Sequence, residues 1–258
     1  MSLDRPLALI TGGTSGIGFG IACSLAPKHH LALSFAQNEI KAQKALHLLR
    51  DQFPQTRVEI YQKTLFNRKD CEELVKTVKE SFSDSPSVLI HSAGRIRDNL
   101  FLNSNFQDHV DVINEHVVTG MALAHICLKD MYRQRFGRIV YMSSISSKFA
   151  KRGQSSYAAA KGALEAFTKT LALEVAHRGI TVNSIAPGLI ETPMTEKLIE
   201  KIREKNSGDF SSRIPAGKPG SPEDVGNLAA FLCSPEAHYI TGTTVTIDGG
   251  RSLGDSDS

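Results

Sequence analysis

Short apolar runs alternate with longer stretches of helical periodicity along the whole chain, and few folds accommodate that rhythm. Leu7-Ala-Leu-Ile-Thr11, Leu31-Ala-Leu-Ser-Phe35, Val58-Glu-Ile-Tyr61 and Val88-Leu-Ile90 read as four strands. Gly137-Arg-Ile-Val-Tyr-Met142, Ile180-Thr-Val-Asn-Ser-Ile185 and Thr243-Thr-Val-Thr-Ile247 bring the count to seven. Residues 19–26, 39–50 and 71–82 carry helical spacing between them. Strands separated by helices of this length imply right-handed crossovers and a parallel sheet covered on both faces. The expectation is one α/β domain over 1–258, a Rossmann-like, doubly wound, seven-stranded parallel sheet with helices on both faces.

Length and composition agree with a single domain. At 258 residues and 41% hydrophobic content, the chain buries enough surface to need no disulfide or metal staple. No window holds the roughly 18 uninterrupted apolar residues of a membrane span. The first residues run directly into a strand without a signal-peptide layout, which points to a cytoplasmic protein. Cys23, Cys71, Cys127 and Cys233 lie far apart in helix-like contexts and read as buried thiols of a reducing compartment. A net charge of +3 is too balanced for a nucleic-acid binder. The interval 191–222 is too long for a plain crossover and carries Asn206-Ser-Gly-Asp209 and Pro215-Ala-Gly-Lys-Pro-Gly220, so it reads as a lid over a site. Residues 254–258 read as a frayed tail.

Two patterns carry chemistry. Thr11-Gly-Gly-Thr-Ser-Gly-Ile-Gly18 follows the first strand, and its glycines let backbone approach a pyrophosphate at a helix N-terminus. Gly12, Thr14, Ser15, Gly16, Ile17 and Gly18 are the candidate contacts. Tyr157 and Lys161 are four apart, hence on one helix face. An ammonium beside the phenol would lower a pKa of about 10 and let Tyr157 exchange a proton with a substrate oxygen. Ser143 and Ser144 end a strand at the edge where doubly wound folds hold ligands.

These residues together resemble the short-chain dehydrogenase/reductase family over nearly the whole chain. The glycine turn, His91-Ser-Ala-Gly94, Ser144, Tyr157 with Lys161, and Pro187-Gly-Leu-Ile-Glu-Thr192 occur in the family's order. Ser144 precedes Tyr157 by 13 residues, the family's usual interval, which selects it over Ser143. Arg97-Asp-Asn-Leu100, Gly153-Gln-Ser-Ser-Tyr157, Gly179-Ile-Thr-Val-Asn183 and Tyr239-Ile-Thr-Gly242 echo the 3-oxoacyl-[acyl-carrier-protein] reductase branch. The resemblance implies reduction of a carbonyl with NADPH, in fatty acid synthesis for that branch. Another small ketone, or a catalytically silent nucleotide-binding subunit, are the alternatives. It further implies that Tyr157 protonates the carbonyl oxygen, that Ser144 hydrogen-bonds it, and that Lys161 holds the nicotinamide ribose. Ser92, Ala93 and Gly94 would line the adenosine side, and Pro187, Gly188, Ile190 and Thr192 would embrace the nicotinamide.

Three departures from the family pattern stand out. His91 and Ser92 replace two asparagines that brace the central strands. Leu65 follows the third strand where many relatives carry an aspartate for the adenine amino group. His116, 21 residues before Gly137, stands where the family has an asparagine that anchors a proton-relay water. A histidine titrating near pH 6.5 suggests a modified relay. No acid occupies positions 35–38 at the end of the second strand, where Gln37 and Asn38 with Ser15 would bond a 2′-phosphate, favouring NADP(H).

The remaining candidates are surface features. His29-His30 reads as an exposed turn and not a metal site. Lys148, Lys151 and Arg152, with Arg135 and Arg178, read as a basic rim for an acidic acyl carrier protein. The resemblance also implies a homodimer or homotetramer, with Ala158, Ala159, Ala160 and Ala163 allowing close helix contact, and no nucleic-acid or membrane partner.

Overall fold

A computed structural model describes residues 5–205 and 209–253, with the side chain of residue 205 excepted. The strands are β1 (Leu7–Thr11), β2 (His30–Phe35), β3 (Val58–Gln62), β4 (Val88–His91), β5 (Gly137–Met142), β6 (Ile180–Pro187) and β7 (Thr244–Ile247). They form one sheet in the order β3-β2-β1-β4-β5-β6-β7, every neighbouring pair parallel. The doubly wound reading is therefore correct. The helices are α1 (Gly16–Leu25), α2 (Glu39–Gln52), α3 (Arg68–Phe82), α4 (Phe106–Ile113), α5 (Thr119–Gln134), α6 (Ser155–Val175), α7 (Glu196–Lys205) and α8 (Pro222–Cys233). Two apolar clusters, one on each sheet face, form the core.

The order reverses between β1 and β4, and side by side at that switch point lie the glycine turn and residues 92–94. A ligand crevice opens at such a point because the two crossovers diverge to opposite faces. Helix starts follow local capping. Asn67 and Asp70 form a reciprocal capping box that begins α3 at Arg68, three residues before the first apolar repeat. Ser221 and Asp224 do the same for α8, with Pro222 in its first turn.

A helical arm over 106–134, for which the sequence reading named no element, joins β4 to β5. It is α4 and α5 fused by a π-helical turn, Asn114–Val118. The extra residue of such a turn shifts the apolar phase and hides the periodicity of both halves.

Several surface expectations change. His29 and His30 are buried, not an exposed turn. His30 opens β2, and its Nδ1 accepts the Arg57 amide at 3.0 Å, so strand pairing draws the pair inward. Cys71, Cys127 and Cys233 are buried as expected, with burial pushing each thiol up to about 12, whereas Cys23 is half-buried. Ala160 is buried against the core, Ala158 is half-buried, and Ala159 and Ala163 face outward, so Ala160 cannot meet another copy's helix. Among the described residues no helix is long and apolar enough to cross a membrane. Residues 254–258 and 206–208, with the tail and part of the hinge read from sequence, lie outside the described residues.

Candidate active site

A cavity of about 470 Å³ runs along the C-terminal edge of the sheet. Gly12, Ser15, Gly16, Ile17 and Gly18 line one end, with Gln37 and Leu65. Ser92, Ala93, Gly94, His116, Ser144, Tyr157, Lys161, Pro187, Gly188, Ile190 and Thr192 line the rest. Of the residues singled out from sequence, Thr14 and Asn38 do not reach it. Thr14 is buried beneath the turn. Asn38 caps α2, its side-chain oxygen accepting the Lys41 amide at 2.9 Å, so that acceptor is already used.

The turn leaves no room for a side chain at Gly18. A Cβ on Gly18 would sit 2.2 Å from the Gly12 carbonyl oxygen, and Gly12 itself has φ +65°. The bare backbone at the start of α1 fits a pyrophosphate, whose charge the unpaired amides there favour. No carboxylate lines the cavity at the end of β2, where Ser34, Phe35, Ala36 and Gln37 face it. The 191–222 excursion contributes Thr192, Pro193, Met194, Thr195 and Leu198 to the opposite wall. It holds its own small core of Ile199, Ile202, Phe210 and Ile214 with Leu189.

The reacting end is built on α6 and the loop after β5. Tyr157 and Lys161 share a face of α6, and the Lys161 Nζ lies 5.3 Å from the centre of the Tyr157 ring. Lys161 donates to the Met142 carbonyl at 2.6 Å and to His116 Nδ1 at 3.1 Å. His116 Nε2 faces the Arg95 carbonyl at 3.1 Å. A carbonyl only accepts, so the proton sits on Nε2 and Nδ1 offers its lone pair to Lys161.

This arrangement reverses two electrostatic expectations. Lys161 does not draw the phenol downward. Burial pushes Tyr157 up to about 12, a hydrogen bond with Ser144 pulls back, and Asp98 pushes up again. The ammonium lies over the ring and spends its protons elsewhere, while burial lowers it to about 7. Nor does His116 titrate near 6.5, since burial first, then the Lys161 charge, hold it well below that value. It is a neutral acceptor.

His91 proves to be a site residue that sequence reading treated only as a lost amide. It is 1% exposed. Its Nε2 donates to the His116 carbonyl at 3.0 Å, and its Nδ1 accepts from the Thr11 hydroxyl at 3.0 Å. Thr11 Oγ1 in turn accepts the amides of Ser92 and Ala93, each at 3.1 Å. The donors and acceptors close without remainder, so an imidazole braces the two central strands. Its place in a strand-end motif was visible in the sequence; its reach to residue 116 was not.

The basic rim separates into two places. Lys151 lines the cavity and pairs with Asp98 at 3.6 Å, and Lys148 and Arg152 are exposed on the same loop. Arg135 and Arg178 instead precede β5 and β6, at the opposite end of the sheet. Arg178 stacks over Tyr132 at 4.1 Å. Within one chain the five cannot form a single rim.

Comparison with known proteins agrees with the geometry. The family described as Enoyl-(Acyl carrier protein) reductase matches residues 12–252. The 3-oxoacyl-[acyl-carrier-protein] reductase FabG of Vibrio cholerae is 35% identical, covering 98% of this chain and all of the relative. The proteins of the same name from Haemophilus influenzae and Escherichia coli are 36% and 34% identical over 97% and 98% of this chain, again along their full lengths. With a family model matched over residues 12–252 and relatives more than 30% identical along nearly the whole chain, the chain belongs to the short-chain dehydrogenase/reductase family.

Proposed function

We propose that the protein reduces the 3-oxo group of an acyl thioester with NADPH, the substrate being carried by an acyl carrier protein. The observation that carries this reading is the convergence of the Ser144 and Tyr157 hydroxyls at one end of a cavity whose other end is a glycine turn. Relatives named for that reaction align over the whole chain. NADP(H) suits the cavity because no carboxylate stands at the end of β2 to repel a 2′-phosphate. Gly12, Ser15, Gly16, Ile17 and Gly18 would hold the pyrophosphate, Gln37 the 2′-phosphate, and Leu65 with Ser92, Ala93 and Gly94 the adenosine. Pro187, Gly188, Ile190 and Thr192 would hold the nicotinamide end.

The cofactor supplies the hydride. The chain supplies position and protons. Ser144 and Tyr157 donate hydrogen bonds to the substrate oxygen, and both bonds strengthen as negative charge develops there. A phenol raised to about 12 stays protonated at neutral pH, as a proton donor in the reducing direction must. In its ammonium form Lys161, steered by Met142 and His116, keeps one Nζ proton free for the nicotinamide ribose. His116 stands in for the water-anchoring asparagine. Its Nε2 proton is committed to a carbonyl that cannot pass it on, so it orients Lys161 and does not carry protons outward.

The π turn and the outward faces of α5 and α6 expose Val118, Met121 and Leu173, and α6 also exposes Ala159 and Ala163, which suits a homodimer or homotetramer built on these helices. The test is oxidation of NADPH by the purified protein with an acetoacetyl thioester, repeated with NADH. NADPH is expected to give the higher kcat/KM. A clear advantage for NADH overturns the cofactor assignment, and no turnover with any 3-oxoacyl thioester leaves a nucleotide-binding subunit without catalysis.

A further inference from the structure

Glu165 lies one helical turn beyond Lys161 on α6, on its buried side. It is 8% exposed, and among the described residues no cation pairs with it. A carboxylate taken out of water needs strong compensating hydrogen bonds, and an apolar side chain would fill the same place without that cost. Its partners are two hydroxyls. Ser143 Oγ donates to Glu165 Oε1 at 2.7 Å, and Ser147 Oγ lies 2.6 Å from the same oxygen.

Those two serines bracket Ser144. Ser147 Oγ is also 2.7 Å from the Ser144 carbonyl, so its single proton is shared between that oxygen and the carboxylate. Ser144 Oγ accepts the Ser146 amide at 3.1 Å, which closes the short turn Ile145–Ser147. The loop from 143 to 147 is also held from outside by Ser143 N donating to the Ile185 carbonyl at 2.7 Å and by Ser146 Oγ donating to Gln154 Oε1 at 3.1 Å, and Ser143 Oγ lies 3.4 Å from the Lys161 carbonyl. Glu165 differs from these anchors in taking hydroxyls on both sides of Ser144, from the helix that carries Tyr157. Loop and helix are tied where their hydroxyls must meet.

We propose that Glu165 is a positioning residue: its carboxylate clamps Ser143 and Ser147 and thereby sets the Ser144 hydroxyl against that of Tyr157. The inference rests on the roles given to Ser144 and Tyr157 above. A residue that works only through Ser144 must lose its effect when Ser144 is gone.

The experiment is a double-mutant cycle of Glu165→Gln and Glu165→Leu against Ser144→Ala, with NADPH and an acetoacetyl thioester. Glu165→Gln should lower kcat about 10-fold and Glu165→Leu about 100-fold, with NADPH affinity changed less than about twofold. In the Ser144→Ala background each should cost less than about twofold more. Losses that multiply equally in both backgrounds overturn the proposal, as does an undiminished kcat in Glu165→Gln. If the leucine variant does not fold, the glutamine cycle decides alone. A second readout needs no turnover: hydrogen exchange at the Ser146 amide should quicken at least about 10-fold in Glu165→Gln while the α6 amides keep their protection. Unchanged exchange there sinks the clamp even if the protein reduces nothing, whereas failure of all 3-oxoacyl turnover with altered exchange sinks only the reading of the reaction.

Discussion

His116 is 3% exposed, and its ring fills space that Gly94 leaves open, since a Cβ at Gly94 would lie 2.0 Å from His116 Cε1. Removing the ring should therefore leave an imidazole-shaped gap beside Lys161. His116→Ala is expected to lower kcat about 10- to 100-fold, and added imidazole should restore part of it. No rescue, with an intact fold, would mean that the ring does not steer Lys161. Tyr157→Phe should cost at least about 100-fold in kcat and leave NADPH binding nearly unchanged, because only the proton donor is lost. Near-normal turnover in that variant would remove Tyr157 from the reaction. Spacing along the sequence brought Ser144, Tyr157 and Lys161 together correctly, because helical periodicity and strand ends fix where side chains point. It misjudged their electrostatics, since burial and Asp98 push Tyr157 up while only the Ser144 hydrogen bond pulls back, and no spacing reports burial. Asn38 shows the same limit: a polar residue after a strand serves equally as phosphate ligand or helix cap, and the backbone claimed it first.

At the scale of elements, the π turn between α4 and α5 does what a regular helix could not. It presents the His116 ring to Lys161 while handing its own carbonyl to His91 on β4. The central strands β1, β2, β4, β5 and β6 were legible from sequence because fully buried parallel strands are largely apolar runs. The arm over 106–134 was not, because its phase shift sits at the functional residue. The bracing has a pH signature. Burial first, then the Lys161 charge, lowers His91 to about 4 and His116 well below its ordinary value. Both are neutral in the fold and ordinary in the unfolded chain. Below pH 6.5 the unfolded chain takes up protons that the native state does not, so stability falls on acidification. Each residue contributes a slope of up to about 1.4 kcal/mol per pH unit. Urea unfolding at pH 7, 6 and 5 should show this loss, before most carboxylates titrate. His91→Asn should flatten the slope, with His116, the likewise lowered His29 and, near pH 7, the lowered Lys161 supplying what remains. An unchanged slope in that variant would mean that His91 is protonated in the fold.

At the scale of the molecule, the separated arginines would share one mouth with the Lys148–Arg152 loop only if the proposed dimer pairs α6 with its copy. The exposed stripe of α6 runs through Ala159, Ala163, Ala166, Thr170 and Leu173, the last 83% exposed, and is centred near the middle of the helix. A two-fold axis perpendicular to α6 through that centre would set the two α6 helices antiparallel. At about 1.5 Å per residue this helix is roughly 31 Å long, so its two ends belong to different neighbourhoods in one protomer and to one neighbourhood across the axis. The partner's Arg178 and the partner's Arg135 would then stand beside the end that carries Tyr157, near Lys148, Lys151 and Arg152. An acidic carrier would meet all five charges at that mouth. Such attraction acts mainly on encounter and decays over a Debye length of about 10 Å at 0.1 M salt. The kcat/KM for a carrier-bound 3-oxoacyl substrate should therefore fall with salt much more steeply than that for a small, neutral thioester. Reversing Arg135 and Arg178 to Glu should reproduce the loss at low salt for the carrier substrate alone. Leu173→Arg, which places a charge at the centre of the shared stripe, should give monomers by size exclusion and flatten the carrier's salt slope while the chain stays folded. Equal salt slopes for the two substrates would show that no carrier docks there. A steep slope in a monomeric variant would place the docking charges within one protomer, on the Lys148–Arg152 loop alone.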